Sequence, residues 1–189
     1  MFISTNQTVL YGEFKMKKIA LLRGVTPVGK NKIPKMSYLV KILTEAGLTS
    51  VQTYIQSGNV ICETDLSDEQ LSQLIHQTTK EKIGADLAVI IKNRSELERA
   101  ILENPFDESY DSTRIHLVFT NDEADTGKLA ELLKQDFGDE ELYLGSQCLY
   151  MYLPRDARKK KLNTNYLEKQ MGITATMRKL SVVSRLSEI

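Results

Sequence analysis

A chain of 189 residues that is 41% hydrophobic and 26% charged has the composition of an ordinary globular protein, long enough to bury the core of one domain or two small ones. Its 25 Lys and Arg balance 25 Asp and Glu, so no global field recruits nucleic acid or an anionic membrane, and such a partner would need a local patch. Cys62 and Cys148 stand far apart with no CxxC or Cys/His cluster, which argues against a zinc site or a disulfide scaffold and fits a reducing cytoplasm.

No apolar run approaches the roughly 20 residues that span a bilayer, so no membrane partner is expected. Residues 1–15 lack a basic leader and an apolar segment of signal type and read as an N-terminal extension with little part in the core. Met16-Lys17-Lys18 followed by Ile19-Ala20-Leu21-Leu22 is the more natural beginning of a fold.

Ile19 to Arg23 read as a first strand. Met36, Leu39, Val40 and Leu43 recur at helical spacing, and Gly47 supplies the stop. Val51 to Gln56 and Asn59 to Glu63 are β-type runs, with Ser57-Gly58 as a two-residue hairpin signal. Ser67 and Gln70 stand at capping-box spacing ahead of Leu71, Leu74 and Ile75. Gly84 ends that helix, and Leu87 to Ile91 form a fourth strand.

The next helix, with Leu97, Ala100 and Ile101, has Ser95 and Glu98 as its capping pair and stops at Asn104-Pro105-Phe106. The pattern then repeats. Ile115 to Phe119 are a strand, Leu129, Leu132 and Leu133 lie on a helix face, and Glu141–Leu144 pairs with Cys148–Leu153 across Gly145-Ser146-Gln147. Leu162, Tyr166 and Leu167 mark a helix ending at Gly172, Ile173 to Thr176 a short strand, and Met177, Leu180, Val183 and Leu186 a last helix.

The hairpin between strands two and three does not suit an all-parallel sheet, whose neighbours need crossovers. It suits the split βαβ unit. The predicted fold is therefore α+β: two tandem ferredoxin-like (alpha-beta plait) subdomains with antiparallel sheets and additional helices. Their expected bounds are 16–92 and 113–189, joined by a connecting helix and linker over 93–112.

Gly24-x-x-x-x-Gly29-Lys30 has the spacing of a phosphate-cradling loop, placed between a strand and a helix. Asn31 lacks the hydroxyl that Mg²⁺ requires, and no strand ends in a convincing Walker-B aspartate; Phe119-Thr120-Asn121-Asp122 comes nearest. The predicted topology instead gathers Arg23, Gly24, Gly29, Lys30 and Asn31, with Lys32, beside Gln56, Ser57 and Asn59 at one edge of the sheet. Arg23 offers a planar fork, the lysines mobile charge, and the following helix its amide donors, a set that fits a small anionic or phosphorylated ligand. The plainer reading is a glycine-shaped turn with solvated lysines.

A second feature is Arg155-Asp156-Ala157-Arg158-Lys159-Lys160-Lys161, five basic residues in seven. Arg155, Arg158, Lys159, Lys160 and Lys161 are candidates for nucleic-acid phosphates, against the alternative of a solvated loop. The central strands lack the aromatics of RNA-recognition motifs, and Tyr150 and Tyr152 read as packing residues. No Ser/His/Asp or Cys/His set is evident, His76 and His116 read as ordinary packed histidines, and no cofactor or reaction is assigned. Sheets pairing edge to edge in a homodimer are a third possibility.

Ile19-Ala20-Leu21-Leu22-Arg23-Gly24, Gly29-Lys30-Asn31-Lys32 and Thr53-Tyr54-Ile55-Gln56-Ser57-Gly58-Asn59-Val60 resemble the bacterial domain-of-unknown-function 1697 family. Asn104-Pro105-Phe106, Lys161-Leu162 and Thr176-x-Arg178 fit its later segments, so the resemblance spans about residues 17–187. It implies two plait-like subdomains and brings no catalytic residues with it. Three segments depart from the family pattern: Val25-Thr26-Pro27-Val28 stands for Ile-Asn-Val-Gly, Lys160-Lys161-Leu162 for Ser-Lys-Leu, and Arg178-Lys179-Leu180-Ser181-Val182 for Arg-Asn-Trp-Asn-Thr.

Overall fold

Residues 15–189 are described by a computed structural model; the expectation about residues 1–15 falls, Lys15 apart, outside that span. The apolar run Ile19–Leu22 sits in β1 (Met16–Arg23), followed by α1 (Met36–Glu45), β2 (Thr49–Tyr54), β3 (Asn59–Thr64), α2 (Asp68–Ile83) and β4 (Ala88–Lys92). These strands form one antiparallel sheet in the order β2-β3-β1-β4. After α3 (Arg94–Leu102) and a 3-10 turn at Ser112–Arg114 come β5 (Ile115–Thr120), α4 (Thr126–Leu133), β6 (Glu141–Leu144), β7 (Leu149–Tyr152), α5 (Thr164–Met171), β8 (Ala175–Lys179) and α6 (Leu180–Glu188). The second sheet, also antiparallel, has the order β6-β7-β5-β8. The architecture is mixed α+β, with two four-stranded sheets and six α-helices among the described residues.

Successive strand residues point to opposite faces, so a run that is apolar throughout must be buried on both. Ala20 and Leu22, with Val60, Cys62, Val89 and Ile91, pack against Leu39, Ile42, Leu43, Leu71 and Ile75 of α1 and α2. Their neighbours Ile19, Leu21, Ile61 and Ile90 face the other way, into a cluster holding Leu117, Phe119 and Tyr150 of the second sheet and Leu97, Ala100, Val183 and Leu186 of α3 and α6. A third cluster sets Val118, Leu149, Met151 and Ala175 against Leu132, Leu167 and Met171. The two sheets thus share a central core as well as owning an outer one each.

The Ser67–Gln70 capping box forms: Ser67 Oγ accepts from the Gln70 amide at 3.2 Å, and Gln70 Oε1 accepts from the Ser67 amide at 3.0 Å. Three expectations need correction. The cap of α3 is Asn93 with Glu96, not Ser95 with Glu98, because the Asn93 carboxamide reaches the Glu96 amide at 3.0 Å while Ser95 only donates to Asn93 Oδ1. The connection between β2 and β3 spans four residues, Ile55–Gly58, because Asn59 Nδ2 bonds back to the Tyr54 carbonyl at 2.9 Å and ends the pairing there. The strand expected at 173–176 runs instead from Ala175 to Lys179, since β5 supplies partners as far as Lys179, and Met177 therefore belongs to a strand.

Both cysteines are buried and free. Burial pushes the Cys62 thiol up to about 11 and Cys148 up to about 12, so both stay neutral at physiological pH. His76 Nδ1 lies 2.7 Å from the Leu87 carbonyl. His116 is buried with Nδ1 at 2.9 Å from the Arg114 carbonyl, and desolvation lowers its pKa despite that contact. Among the described residues no helix is long and apolar enough to cross a membrane, and no group of three or more His, Cys, Asp or Glu is placed to hold a metal ion.

Candidate functional site

Where β1 ends the chain turns through Gly24, at φ 93°, into the loop that leads to α1. The loop is closed on itself: the Thr26 amide donates to the Asn31 carbonyl at 3.1 Å, and the Lys32 amide to the Gly29 carbonyl at 3.3 Å. It is also tied to the approach of β4. The Asn31 carboxamide accepts from the Asp86 amide at 3.2 Å and donates to its carbonyl at 3.4 Å.

Folded this way, the loop and the Ile55–Gly58 turn line one groove of about 510 Å³. Thr26, Lys32 and Lys35 come from one side and Gln56 and Ser57 from the other, over a floor that includes Val25 and Ile33. Lys32 and Lys35 are the charged side chains that line it, and no carboxylate does. Lys35 is also the N-cap of α1, with extended backbone, no side-chain cap bond and no acidic residue in the first turn. In the first turn of that helix the Tyr38 amide donates to the Lys35 carbonyl at 3.1 Å, whereas the Met36 and Ser37 amides make no hydrogen bond among the described residues, and Met36 lines the groove at the positive end of the dipole.

Of the predicted site residues, Gln56 and Ser57 line this groove, Gly24 and Gly29 shape the loop with φ of 93° and 82°, and Lys30 is exposed. Arg23, Asn31 and Asn59 are engaged elsewhere. The Arg23 fork closes on Glu168 of α5, Nε to Oε1 at 3.1 Å and Nη2 to Oε2 at 2.9 Å, with Asn165 Oδ1 also accepting from Nη2. Glu168 accepts from the Ala175 amide as well. Burial works to raise its carboxyl pKa, but the Arg23 hydrogen bond, that amide and the Arg23 charge together hold it below the ordinary value.

Asn59 is 0% exposed, and its Oδ1 accepts from Arg178 Nε at 2.6 Å. Arg178, on β8, is 7% exposed and distributes its other donors to Thr176 Oγ1 and to the carbonyls of Met177, Leu22, Ser57 and Gly58. No carboxylate is among these partners. Burial lowers its pKa to about 10, which still leaves it charged at neutral pH. Sequence reasoning missed Lys35, whose one signal is its place just before a helix, and the keystone role of Arg178, marked there only by Thr176-x-Arg178.

In the basic segment the backbone is pinned and the side chains are left outside. The Arg158 amide donates to Asp139 at 3.0 Å, and the Lys161 and Leu162 amides donate to Glu140 Oε2 at 2.8 and 2.7 Å. Glu140 itself is only 5% exposed. Lys161 bonds Gln135 and lies over the rings of Phe137 and Tyr166, at 5.3 and 5.1 Å from their centroids. Arg155, Arg158, Lys159 and Lys160 are exposed and make no ion pair within 4.0 Å among the described residues.

A family model described as a protein of unknown function, DUF1697, matches residues 16–150, and the chain belongs to that family. The match stops short of β8 and Arg178. Among solved structures, the chain is similar to the conserved bacterial protein SP0830 from Streptococcus pneumoniae, at 23% identity with a TM-score of 0.66, over 92% of this chain and 97% of that one. That likeness is one of fold. No curated protein matches.

Proposed function

We propose that this member of a family without an assigned activity binds a small anionic or phosphorylated ligand in the groove between the 24–35 loop and the 55–58 turn. One observation carries the reading: a groove of about 510 Å³ whose charged lining consists of two lysines and no carboxylate. Lys32 and Lys35 attract the anion, the Met36 and Ser37 amides at the start of α1 meet it, and Gln56 and Ser57 hydrogen-bond its polar groups. Gly24 and Gly29 set the path of the loop, and Lys30 adds charge on its exposed side. Arg23, Asn31 and Asn59 serve the walls rather than the ligand.

The matched strand orders β2-β3-β1-β4 and β6-β7-β5-β8 support reading each sheet as a ferredoxin-like plait, within subdomains 16–92 and 113–189 joined through 93–112. Two buried, unpaired thiols support a cytoplasmic location.

A thermal-shift series with phosphate, pyrophosphate, sugar phosphates and nucleotides tests the groove. A ligand at about 100 times its Kd adds about 2.7 kcal/mol, worth roughly 5–10 °C in a chain of this size. The shift is expected to vanish in a Lys32→Gln/Lys35→Gln double variant and to persist in Lys30→Gln. If no anion raises the wild-type Tm above that of the double variant, the reading fails.

A second reading rests on the anchored basic segment. With Glu140 accepting from the backbone amides of Lys161 and Leu162, Arg155, Arg158, Lys159 and Lys160 are exposed and make no ion pair among the described residues, which supports them as a surface for nucleic-acid phosphates. Fluorescence polarisation with single-stranded oligonucleotides is expected to show a log K against log salt slope of about −3 for four contacts, near −0.7 each. Neutralising all four residues to Gln should abolish it. Binding unchanged in that variant rejects this reading.

A further inference from the structure

The turn over Ile55–Gly58 holds a run of free main-chain donors. The amides of Gln56, Ser57 and Gly58 make no hydrogen bond among the described residues, although Gly58 is buried. Buried backbone N–H groups are almost always paired in a folded chain, so a free one is a strong donor for a ligand. The backbone that presents them is strained. Ile55 lies at φ 51° and Gly58 at φ 79°, both in the left-handed region, where a β-branched side chain is a genuine outlier. Ile55 is exposed and belongs to none of the three apolar clusters, so packing does not offset its conformation.

Arg178 sets the direction of these peptides. Its Nη2 donates to the Ser57 carbonyl at 3.2 Å and to the Gly58 carbonyl at 3.3 Å. A trans peptide holds its N–H opposite its C=O, so the unit joining Ser57 to Gly58 turns the Gly58 amide away from the guanidinium. The Ser57 hydroxyl already accepts from Asn59 Nδ2 at 3.0 Å, and Gln56 is exposed. The donors that the fold holds in place on this wall are therefore those of the main chain. Successive amides beside left-handed residues make a concavity that favours anions. A buried guanidinium with no carboxylate partner lies one peptide behind it.

We propose that the Gln56–Gly58 amides form the socket for the phosphoryl group of a phosphate monoester, an inference that rests on the groove reading above and names its ligand class. The three amides hold the phosphoryl oxygens from one side, and Lys32 and Lys35, which line the same groove, meet them from the other. Donor number decides the class. Three amides and two ammonium groups exceed the roughly four lone-pair sites of a carboxylate, whereas three phosphoryl oxygens offer about six. Charge agrees, since a phosphate monoester carries about −1.5 to −2 at neutral pH and faces two lysines. A sulfate monoester has the oxygens but only half the charge.

Backbone amide spectra of the full chain, titrated with phenyl phosphate, phenyl sulfate and benzoate, test this. Phenyl phosphate is expected to move the Gln56, Ser57 and Gly58 amide protons downfield, and to bind about tenfold or more tightly than the other two. Both effects should disappear in Lys32→Gln/Lys35→Gln. Replacing the Gln56–Ser57 peptide bond by an ester removes one N–H and leaves every side chain in place. That change should weaken phenyl phosphate by about tenfold and leave the Tm unchanged, because the Ser57 amide has no partner among the described residues. Failure of all three anions to bind the wild type removes the groove reading itself. Where phenyl phosphate binds and needs the two lysines, three results each overturn the socket alone: unmoved 56–58 amide signals, benzoate or phenyl sulfate binding as tightly, or an ester variant that binds like wild type.

Discussion

Arg178→Met is expected to lower the unfolding free energy by about 3 kcal/mol or more, read from urea melts, and the Tm by roughly 6–12 °C. Two effects oppose each other. Removing a guanidinium that is 7% exposed and has no carboxylate partner returns a desolvation penalty, and methionine fills much of the same space. Against that, the change takes a donor from Asn59 Oδ1 and from the carbonyls of Leu22 and Ser57.

Gly58 loses least, because its carbonyl also accepts from the Leu22 amide at 2.8 Å. Two buried acceptors, Asn59 Oδ1 and the Leu22 carbonyl, left without a charged donor cost about 1–3 kcal/mol each, whereas water can reach the exposed Ser57, and the orphaned acceptors win. Arg178→Lys should recover only part of the loss, since a point-like ammonium cannot span Asn59, Thr176 and Leu22 as the fork does. A methionine variant within about 0.5 kcal/mol of wild type, the range of ordinary surface substitutions, would show that the Arg178 network contributes no net stability.

Gly58→Ala is expected to cost about 2–5 kcal/mol. The residue stands at φ 79°, where a side chain is penalised by about 1–2 kcal/mol. An added Cβ would also lie 2.8 Å from Leu22 Cβ and 2.8 Å from Val25 Cγ2. Leu22 Cβ is fixed to the backbone and cannot swing aside, so β1 and the turn must separate. That separation breaks the Leu22–Gly58 hydrogen bond and moves Gln56 and Ser57 out of the groove.

Gly29→Ala provides the comparison. Its φ is similar, 82°, but nothing lies within 4 Å of the added carbon, so only the backbone penalty of about 1–2 kcal/mol applies. Denaturant midpoints of the two variants separate conformational strain from steric contact. Equal losses in both would remove the contact from the explanation.

Much of the fold is legible in the residues. Leu71 and Ile75 on one face of α2, the Ser67–Gln70 box and the Gly84 stop are short-range patterns, and short-range patterns survive because helix contacts lie three and four residues apart. The same holds for the buried run of β1 and for the β-α-β-β-α-β order of the first half, with its antiparallel pairing of the second and third strands. The boundaries of β8 were less legible, because its length is set by the partner strand β5 rather than by its own side chains. The groove was half visible: its two walls were recognisable, but not which of their polar groups faced inward.

Arg23, Asn31 and Asn59 have the chemistry of ligand-binding residues, and their types alone favour that use. Packing gave each of them a protein partner instead: Glu168 at a separation of 145 residues, the Asp86 backbone at 55, and Arg178 at 119. A donor's strength is a property of the residue, whereas its acceptor is whichever group the folded chain brings within about 3 Å. Local spacing therefore specified most helices and strands of this protein, while the β2–β3 turn and the extent of β8 were set by pairing. The assignment of its polar groups to architecture or to a ligand came from contacts between segments far apart in the chain.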